Sequence, residues 1–185
     1  MKKKILFIFF FLNFFNYAYG STETKILNNF KKIQNISFDF KQNIEEKTEE
    51  GNCIIKYPKK IYCSYNNKNK KIIVSNGKSL VIKNRIGKSY FLYPLEKTPL
   101  VIILNKELLI NKIKKLKAKF IEDKYYVYSI ENDFNKINIF FEKNSYDLIG
   151  WQTEDIYQNL AMTYIYNIKK NISVDEKLFK LPKQN

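Results

Sequence analysis

The chain has 185 residues, which suits one domain with its own hydrophobic core rather than two. Lysine and arginine number 33 against 18 acidic residues, a net charge of +15, and the lack of histidine removes the commonest general base and metal ligand. With Cys53 and Cys63 as its two cysteines, the chain cannot form a zinc cage, so we expect no catalytic site, no metal and no cofactor.

The first twenty residues have the pattern of a secretory signal peptide. Lysines precede an apolar stretch over residues 5–15, which is too short to span a bilayer as an ordinary helix. Small residues before the expected cut indicate cleavage after Gly20, with a retained membrane anchor as the alternative. Ser21 then begins the mature domain, residues 21–185, which has no cysteine at its start for lipid attachment. The sequence therefore predicts export to the periplasm.

The mature chain begins with a helix pattern and continues with a strand pattern. Apolar residues at helical spacing predict an amphipathic helix over residues 23–34. Ile36, Phe38 and Phe40 then alternate with polar residues, which predicts a strand with one apolar face. The acidic run over residues 45–50 is interpreted as a solvated loop or strand end.

Short strands separated by turns account for most of the remaining chain. Turn signals lie at residues 58–60, at Asn76-Gly77 and at residues 85–88. Together with the first strand, these patterns predict nine or ten antiparallel strands. The further strands are expected at residues 53–57, 61–65, 71–75, 79–83, 125–130, 136–141, 148–153 and 161–168.

Helical spacing interrupts the strands over residues 98–116. Thr98 suits a helix cap, Pro99 suits a first turn, and a break is expected near Asn105. A mainly β chain must either close its sheet or cover the apolar face. We expect a strongly curved, half-open antiparallel β-barrel whose mouth is covered by the N-terminal helix and the mid-chain helical pair. A β-sandwich is the alternative.

Cys53 and Cys63 each lie five residues from Pro58. A hairpin that turns at this proline places the two cysteines opposite each other on adjacent strands. Because the periplasm is oxidising, we expect a structural disulfide, with two buried thiols as the alternative.

Five strings follow one another along the chain, at residues 38–42, 51–58, 74–80, 97–100 and 148–151, the last followed by Asp155 and Gln158. Read together in this order, they resemble the periplasmic lipoprotein carrier family LolA. The resemblance extends over residues 23–182 and implies a half-open barrel of about eleven strands with a helical lid. It also implies a carrier, not an enzyme, that takes acylated lipoproteins from an inner-membrane release transporter to an outer-membrane acceptor. We expect a monomer.

The resemblance implies an apolar cavity beneath a movable lid. For each wall residue, a place in a filled hydrophobic core is the alternative. In well-known members an arginine precedes the proline of the second strand and holds the lid shut, whereas this chain has Tyr57 there. The residues expected to contact acyl chains are Phe38, Phe40, Ile55, Tyr57, Tyr65, Val74, Leu80, Phe91, Tyr93, Leu100, Ile103, Leu104, Leu109 and Trp151.

Other functions of the same fold remain open from the sequence. A LolB-like outer-membrane acceptor is normally lipid-anchored, which Ser21 argues against. A periplasmic sensor or scaffold that recognises lipidated proteins is a second alternative, and a carrier of free lipid is a third. Nucleic acid is not an expected partner, because the predicted protein is exported and Arg85 is the only arginine in the chain.

Overall fold

The computed structural model describes residues 21–86, 89–132, 135–154 and 159–184. The predicted leader, Asp155 and Gln158 lie outside the described residues. The α-helices are α1 (Thr22–Lys31), α2 (Leu100–Leu104) and α3 (Lys106–Ile113), and 3₁₀ helices lie at Leu95–Lys97 and Glu176–Phe179. The strands are β1 (Asn35–Ile44), β2 (Lys47–Lys56), β3 (Lys60–Tyr65), β4 (Lys71–Asn76), β5 (Ser79–Asn84), β6 (Tyr90–Pro94), β7 (Lys119–Ile121), β8 (Tyr125–Asn132), β9 (Asn135–Glu142), β10 (Leu148–Glu154) and β11 (Leu160–Lys170).

Within the described residues, all eleven strands form one open antiparallel sheet. Its order is β6-β5-β4-β3-β2-β1-β11-β10-β9-β8-β7, so the first and last strands of the chain pair at the centre. The two edge strands, β6 and β7, are consecutive in the chain, and the segment between them carries α2 and α3. The expected half-open barrel with a few helices is therefore confirmed, and the sandwich alternative is wrong.

The first helix forms where the sequence predicts it. Its N-cap, Ser21, accepts a hydrogen bond from the backbone N–H of Thr24 at 3.3 Å. Its apolar residues Ile26, Leu27 and Phe30 are buried against the sheet. The helix ends at Lys31, a few residues earlier than expected.

Two hairpins follow their local sequence closely. At the β4–β5 turn, Gly77 has φ +99°, a conformation that glycine adopts without strain, and the side chain of Asn76 accepts from the backbone of Lys78 and Ser79 at 3.0 Å. The β2–β3 hairpin turns at Pro58 and pairs Cys53 with Cys63, as expected. In contrast, the acidic run over residues 45–50 belongs to the β1–β2 hairpin, whose turn is at Glu45 and Glu46.

The sheet buries apolar side chains on both faces in its first half. The concave face carries the main core, together with the buried residues of α1, α2 and α3. On the convex face, Val74 pairs with Val81 in the register, and the C-terminal 3₁₀ helix packs against β3 and β4 with Phe179 buried. The prediction that Val74 lines the cavity is therefore wrong: its side chain is 1% exposed, but on the opposite face of the sheet.

Candidate functional site

Helix α2 lies in the concavity of the sheet and closes it. Its residues Val101, Ile102, Ile103 and Leu104 are all buried, as is Leu109 of α3. A helix that is apolar all round needs protein on every side, and here the curved sheet and the neighbouring helices supply it. The concavity therefore has a largely filled apolar core, not the open hollow expected from the sequence.

A small apolar cavity remains next to the first turn of α2. It has a volume of about 170 Å³, and Pro99 and Leu100 form its helical side. The cavity lies against both halves of the sheet, because β1, β2, β3 and β4 contribute from one side and β10 and β11 from the other. Its sheet residues are Phe40, Gln42, Cys53, Ile61, Cys63, Tyr65, Ile73, Trp151, Thr153 and Thr163.

The Cys53–Cys63 disulfide forms part of the cavity wall. The two sulfur atoms are bonded at 2.01 Å, and both cysteines are buried. Beside them, the ring of Phe40 lies across Gly51, where a Cβ atom would come within 2.9 Å of the ring and 2.1 Å of the Ser64 carbonyl oxygen. Only glycine fits this close approach, which places Phe40 edge-to-face on Tyr65 with ring centroids 4.8 Å apart.

One end of the cavity is polar. The Tyr65 hydroxyl donates to the Gln42 side-chain oxygen at 3.4 Å, and the Gln42 amide nitrogen donates to the Thr163 hydroxyl at 2.9 Å. Burial raises the pKa of Tyr65 far above its ordinary value, and the nearby Glu49 carboxylate raises it further. The phenol is therefore neutral at physiological pH and available as a hydrogen-bond donor.

The opposite end of the strands is tied to the helices by hydrogen bonds. The backbone N–H of Tyr57 donates to the carbonyl of Gln34, just after α1, at 2.9 Å. The backbone N–H of Lys59 donates to the carbonyl of Leu104, the last residue of α2, at 2.8 Å. The β2–β3 turn thus holds the ends of α1 and α2 together.

A lysine side chain adds to this connection. Lys106, the first residue of α3, donates from Nζ to the carbonyls of Lys31 and Ile33 at 3.2 and 2.8 Å. Its ammonium also lies 5.6 Å from the centre of the Tyr57 ring. We call Tyr57, Lys59 and Lys106, with the carbonyls that they contact, the helix clamp.

Tyr57 itself contributes to the helix clamp through its backbone. Its hydroxyl is buried and has no hydrogen-bond partner among the described residues, and burial raises its pKa far above the ordinary value. Its ring packs edge-to-face on Phe30 at 5.5 Å. Within the described structure, the hydroxyl therefore does not replace the hydrogen bonds expected from an arginine at this position, whereas the Lys106 ammonium reaches helix-end carbonyls.

The structure places the predicted site residues in five groups. Phe40, Tyr65, Leu100 and Trp151 line the cavity, and Tyr57 belongs to the helix clamp. The prediction that Phe91 and Tyr93 lie in the interior is wrong, because both lie on edge strand β6 and are 51% and 42% exposed. Val74 lies on the convex face, as described above. The remaining predicted residues are in the filled core around α2, namely Phe38, Ile55, Leu80, Ile103, Leu104 and Leu109.

The sequence interpretation missed the polar residues of the site. Gln42 continues the alternation of Phe38 and Phe40, so the period of the strand places it on the concave face. Thr163 pairs with Gln42 across β1 and β11, but that pairing joins the two ends of the chain and has no local signal. The same holds for Lys106, whose partners in the helix clamp are more than 70 residues away.

Comparisons with known proteins agree with this architecture. The family model described as outer membrane lipoprotein carrier protein LolA matches residues 31–182. A search of curated proteins finds no match. No helix within the described residues is long and apolar enough to cross a membrane.

Solved structures that align with this chain have little sequence identity to it. An uncharacterized conserved protein from Thermus thermophilus aligns with a TM-score of 0.52 at 8% identity, over 88% of this chain and 96% of the other. A LolA superfamily protein from Nitrosomonas europaea aligns at 0.41 and 8% identity, over 88% and 99%. A putative outer membrane lipoprotein-sorting protein domain from Vibrio parahaemolyticus aligns at 0.43 and 10%, over 85% and 94%.

Proposed function

Because the chain belongs to the outer membrane lipoprotein carrier family LolA, we propose that it is a periplasmic carrier that shields the acyl chains of lipoproteins and moves them from the inner to the outer membrane. Its signal peptide is cleaved after Gly20. An inner-membrane release transporter supplies the cargo, and an outer-membrane acceptor receives it. The protein acts as a monomer and catalyses no reaction.

The observation that carries this proposal is the apolar cavity beneath α2. An engineered cavity of about 150 Å³ holds one benzene molecule. The cavity of 170 Å³ therefore accommodates a short piece of an acyl chain. A whole chain needs the space that α2 fills, so the structure corresponds to the closed form of the proposed carrier, and loading requires α2 to move.

The energies of opening and loading are of the same order. Burial of the side chains of residues 101–104 is worth about 1.5–3 kcal/mol each, or about 6–12 kcal/mol together. Removing a sixteen-carbon acyl chain from water gains about 0.8 kcal/mol per methylene, or about 12 kcal/mol. An acyl chain that takes the place of α2 therefore offsets the cost of displacing it, and loss of the acyl chain lets the helix return.

Extraction of lipoprotein from membranes tests the proposal. The purified protein is mixed with inner-membrane vesicles that contain the release transporter and a radiolabelled lipoprotein, and the soluble fraction is assayed for a complex of the two. A matched cargo whose acylated cysteine is replaced by serine serves as the control. We expect the acylated cargo alone to be transferred into solution. If the acylated cargo stays in the vesicles, the carrier role is wrong.

A further inference from the structure

The polar end of the cavity is built into an otherwise apolar wall. Gln42 and Thr163 are joined by a 2.9 Å hydrogen bond, and Thr163 is almost fully buried. The alternation of β1 puts apolar side chains at Phe38 and Phe40, and then a glutamine at the next position on the same face. Burial of a polar group is costly unless its hydrogen bonds are made. The hydrogen-bond partners of Gln42 and Thr163 therefore decide what this pair contributes.

The Gln42–Thr163 pair keeps hydrogen-bond donors that no other described residue uses. The Gln42 amide carries two N–H hydrogens, and Thr163 accepts one of them. The Gln42 oxygen already accepts from Tyr65. The second amide hydrogen and the hydroxyl hydrogen of Thr163 have no acceptor among the described residues. Both side chains line the cavity, which makes this end a hydrogen-bond donor toward whatever occupies it.

The position of these donors gives a bound chain a direction. Gln42 lies seven residues along β1 from Asn35, next to the helix clamp, a distance of about 23 Å at about 3.3 Å per residue. Between the two ends lie Phe40, the disulfide and the residues of α2. The cavity is thus apolar toward the helix clamp and polar at the far end, so an amphipathic ligand fits in one orientation.

The mouth beyond Gln42 is also polar. Lys71 pairs with Glu49, and its ammonium lies 3.8 Å from the centre of the Tyr65 ring. Asn67 donates to the same carboxylate at 3.0 Å. A ligand whose hydrocarbon part lies beneath α2 therefore meets hydrogen-bonding groups in succession, first Gln42 and Thr163 and then this charged pair.

We propose that the Gln42 amide and the Thr163 hydroxyl donate hydrogen bonds to the carbonyl oxygen of an acyl group, whose hydrocarbon chain extends from there toward the helix clamp. This inference rests on the proposed function and adds to it the chemistry that the cavity recognises. The ester and amide linkages of an acylated lipoprotein both present such a carbonyl. A simple alkyl chain presents none and binds by its apolar surface alone.

The test compares two synthetic lipopeptides that differ only at the carbonyl. One carries a dipalmitoyl glyceryl group in ester linkage on its N-terminal cysteine, and the other carries the matching dialkyl ether. Their affinities for the purified protein are measured by displacement of a fluorescent fatty-acid probe. One hydrogen bond is worth about fivefold in affinity, so we expect the ester to bind at least about fivefold more tightly.

Variants assign this preference to the two residues. We expect Thr163→Val and Gln42→Met to bring the ratio of ester to ether affinity close to one, and Thr163→Ser to retain the ratio. Ile73→Val, an apolar change in the same wall, should lower the affinity for both ligands by the same factor. Thermal melting of each variant confirms that it is folded.

The outcomes separate this inference from the proposed function. Equal binding of ester and ether by the unmodified protein overturns the inference and leaves the carrier role intact. A full ester preference in both Thr163→Val and Gln42→Met overturns it as well. If neither lipopeptide binds, the proposed function fails, and the inference fails with it.

Discussion

Removing the Lys106 ammonium should loosen the helices that cover the concave face. In Lys106→Met, the side chain keeps its length but loses the donors to the carbonyls of Lys31 and Ile33. Hydrogen bonds from charged groups contribute about 1.5–3 kcal/mol each, and exposure reduces this value. Of the two bonds, the one to Ile33 is partly buried and the one to Lys31 is exposed. We therefore expect a loss of about 1–2 kcal/mol from the closed state.

Hydrogen exchange of backbone amides measures this loss directly. A change of about 1–2 kcal/mol in local opening raises the exchange rate about 5- to 30-fold. The affected amides are those of α2 and α3, such as Asn105 and Leu109, which bond to Val101 and Asn105. Amides in the central β1–β11 ladder should keep their rates, because the helices can open without separating these strands.

Two variants make the comparison specific. Lys115→Met removes an exposed lysine just after α3 and should leave exchange unchanged. Lys106→Arg keeps a donor of similar reach and should restore most of the protection. Equal exchange in α2 and α3 for Lys106→Met and Lys115→Met would show that the lysine does not hold the helices, and the helix clamp would then rest on its backbone hydrogen bonds alone.

Two further predictions concern the disulfide and the C-terminal 3₁₀ helix. Replacing both Cys53 and Cys63 by alanine opens a loop with a separation of 10 residues, and urea titrations should show a free energy of unfolding lower by about 2.5 kcal/mol. A thiol assay that finds two free thiols in the unfolded, unreduced protein would contradict the bond. Glu176 accepts hydrogen bonds from Lys56 and Lys60, which lowers its pKa from 4.5 to about 2. Because the folded-state pKa is the lower one, this carboxylate stabilises the fold above about pH 4.5, and the contribution is lost as the pH falls toward 2. The melting temperature of Glu176→Gln should thus lie below that of the unmodified protein at pH 6 and match it near pH 2. A difference in melting temperature that persists at pH 2 would show that the charge of Glu176 is not its cause.

The local part of the fold could be predicted from the sequence. The Asn76-Gly77 turn, the Pro58 hairpin and the helix pattern of α1 each depend on neighbouring residues, and each is found where it is expected, apart from the earlier end of α1. The short edge strand β7 was missed, because its three residues show too little alternation to be recognised. Its neighbours in the chain belong to the helical segment, which hides it further.

The orientation of side chains was harder to predict. Ile72, Ile73 and Val74 form an apolar run, and such a run does not reveal which residue faces the concave side. Tyr93 pairs with the core residue Leu80 in the register, yet it is exposed because β6 is an edge strand of the sheet that the described residues form. The candidate site depends on pairs such as Gln42 and Thr163, which are distant in the chain and become neighbours only when the sheet is complete.

The pairing of β1 with β11 also governs when the chain can finish folding. Asn167 donates to Asp39 at 2.8 Å across 128 residues of sequence, and β11 is the strand that joins β1 to β10. Until β11 is in place, the hairpins from β1 to β6 and those from β7 to β10 form separate ladders. Long-range pairings of this kind are slow to form, so a newly made chain stays incomplete until its final strand is available. Such a delay suits the proposed export, because a chain that crosses a membrane through a translocation channel must stay unfolded until it has crossed.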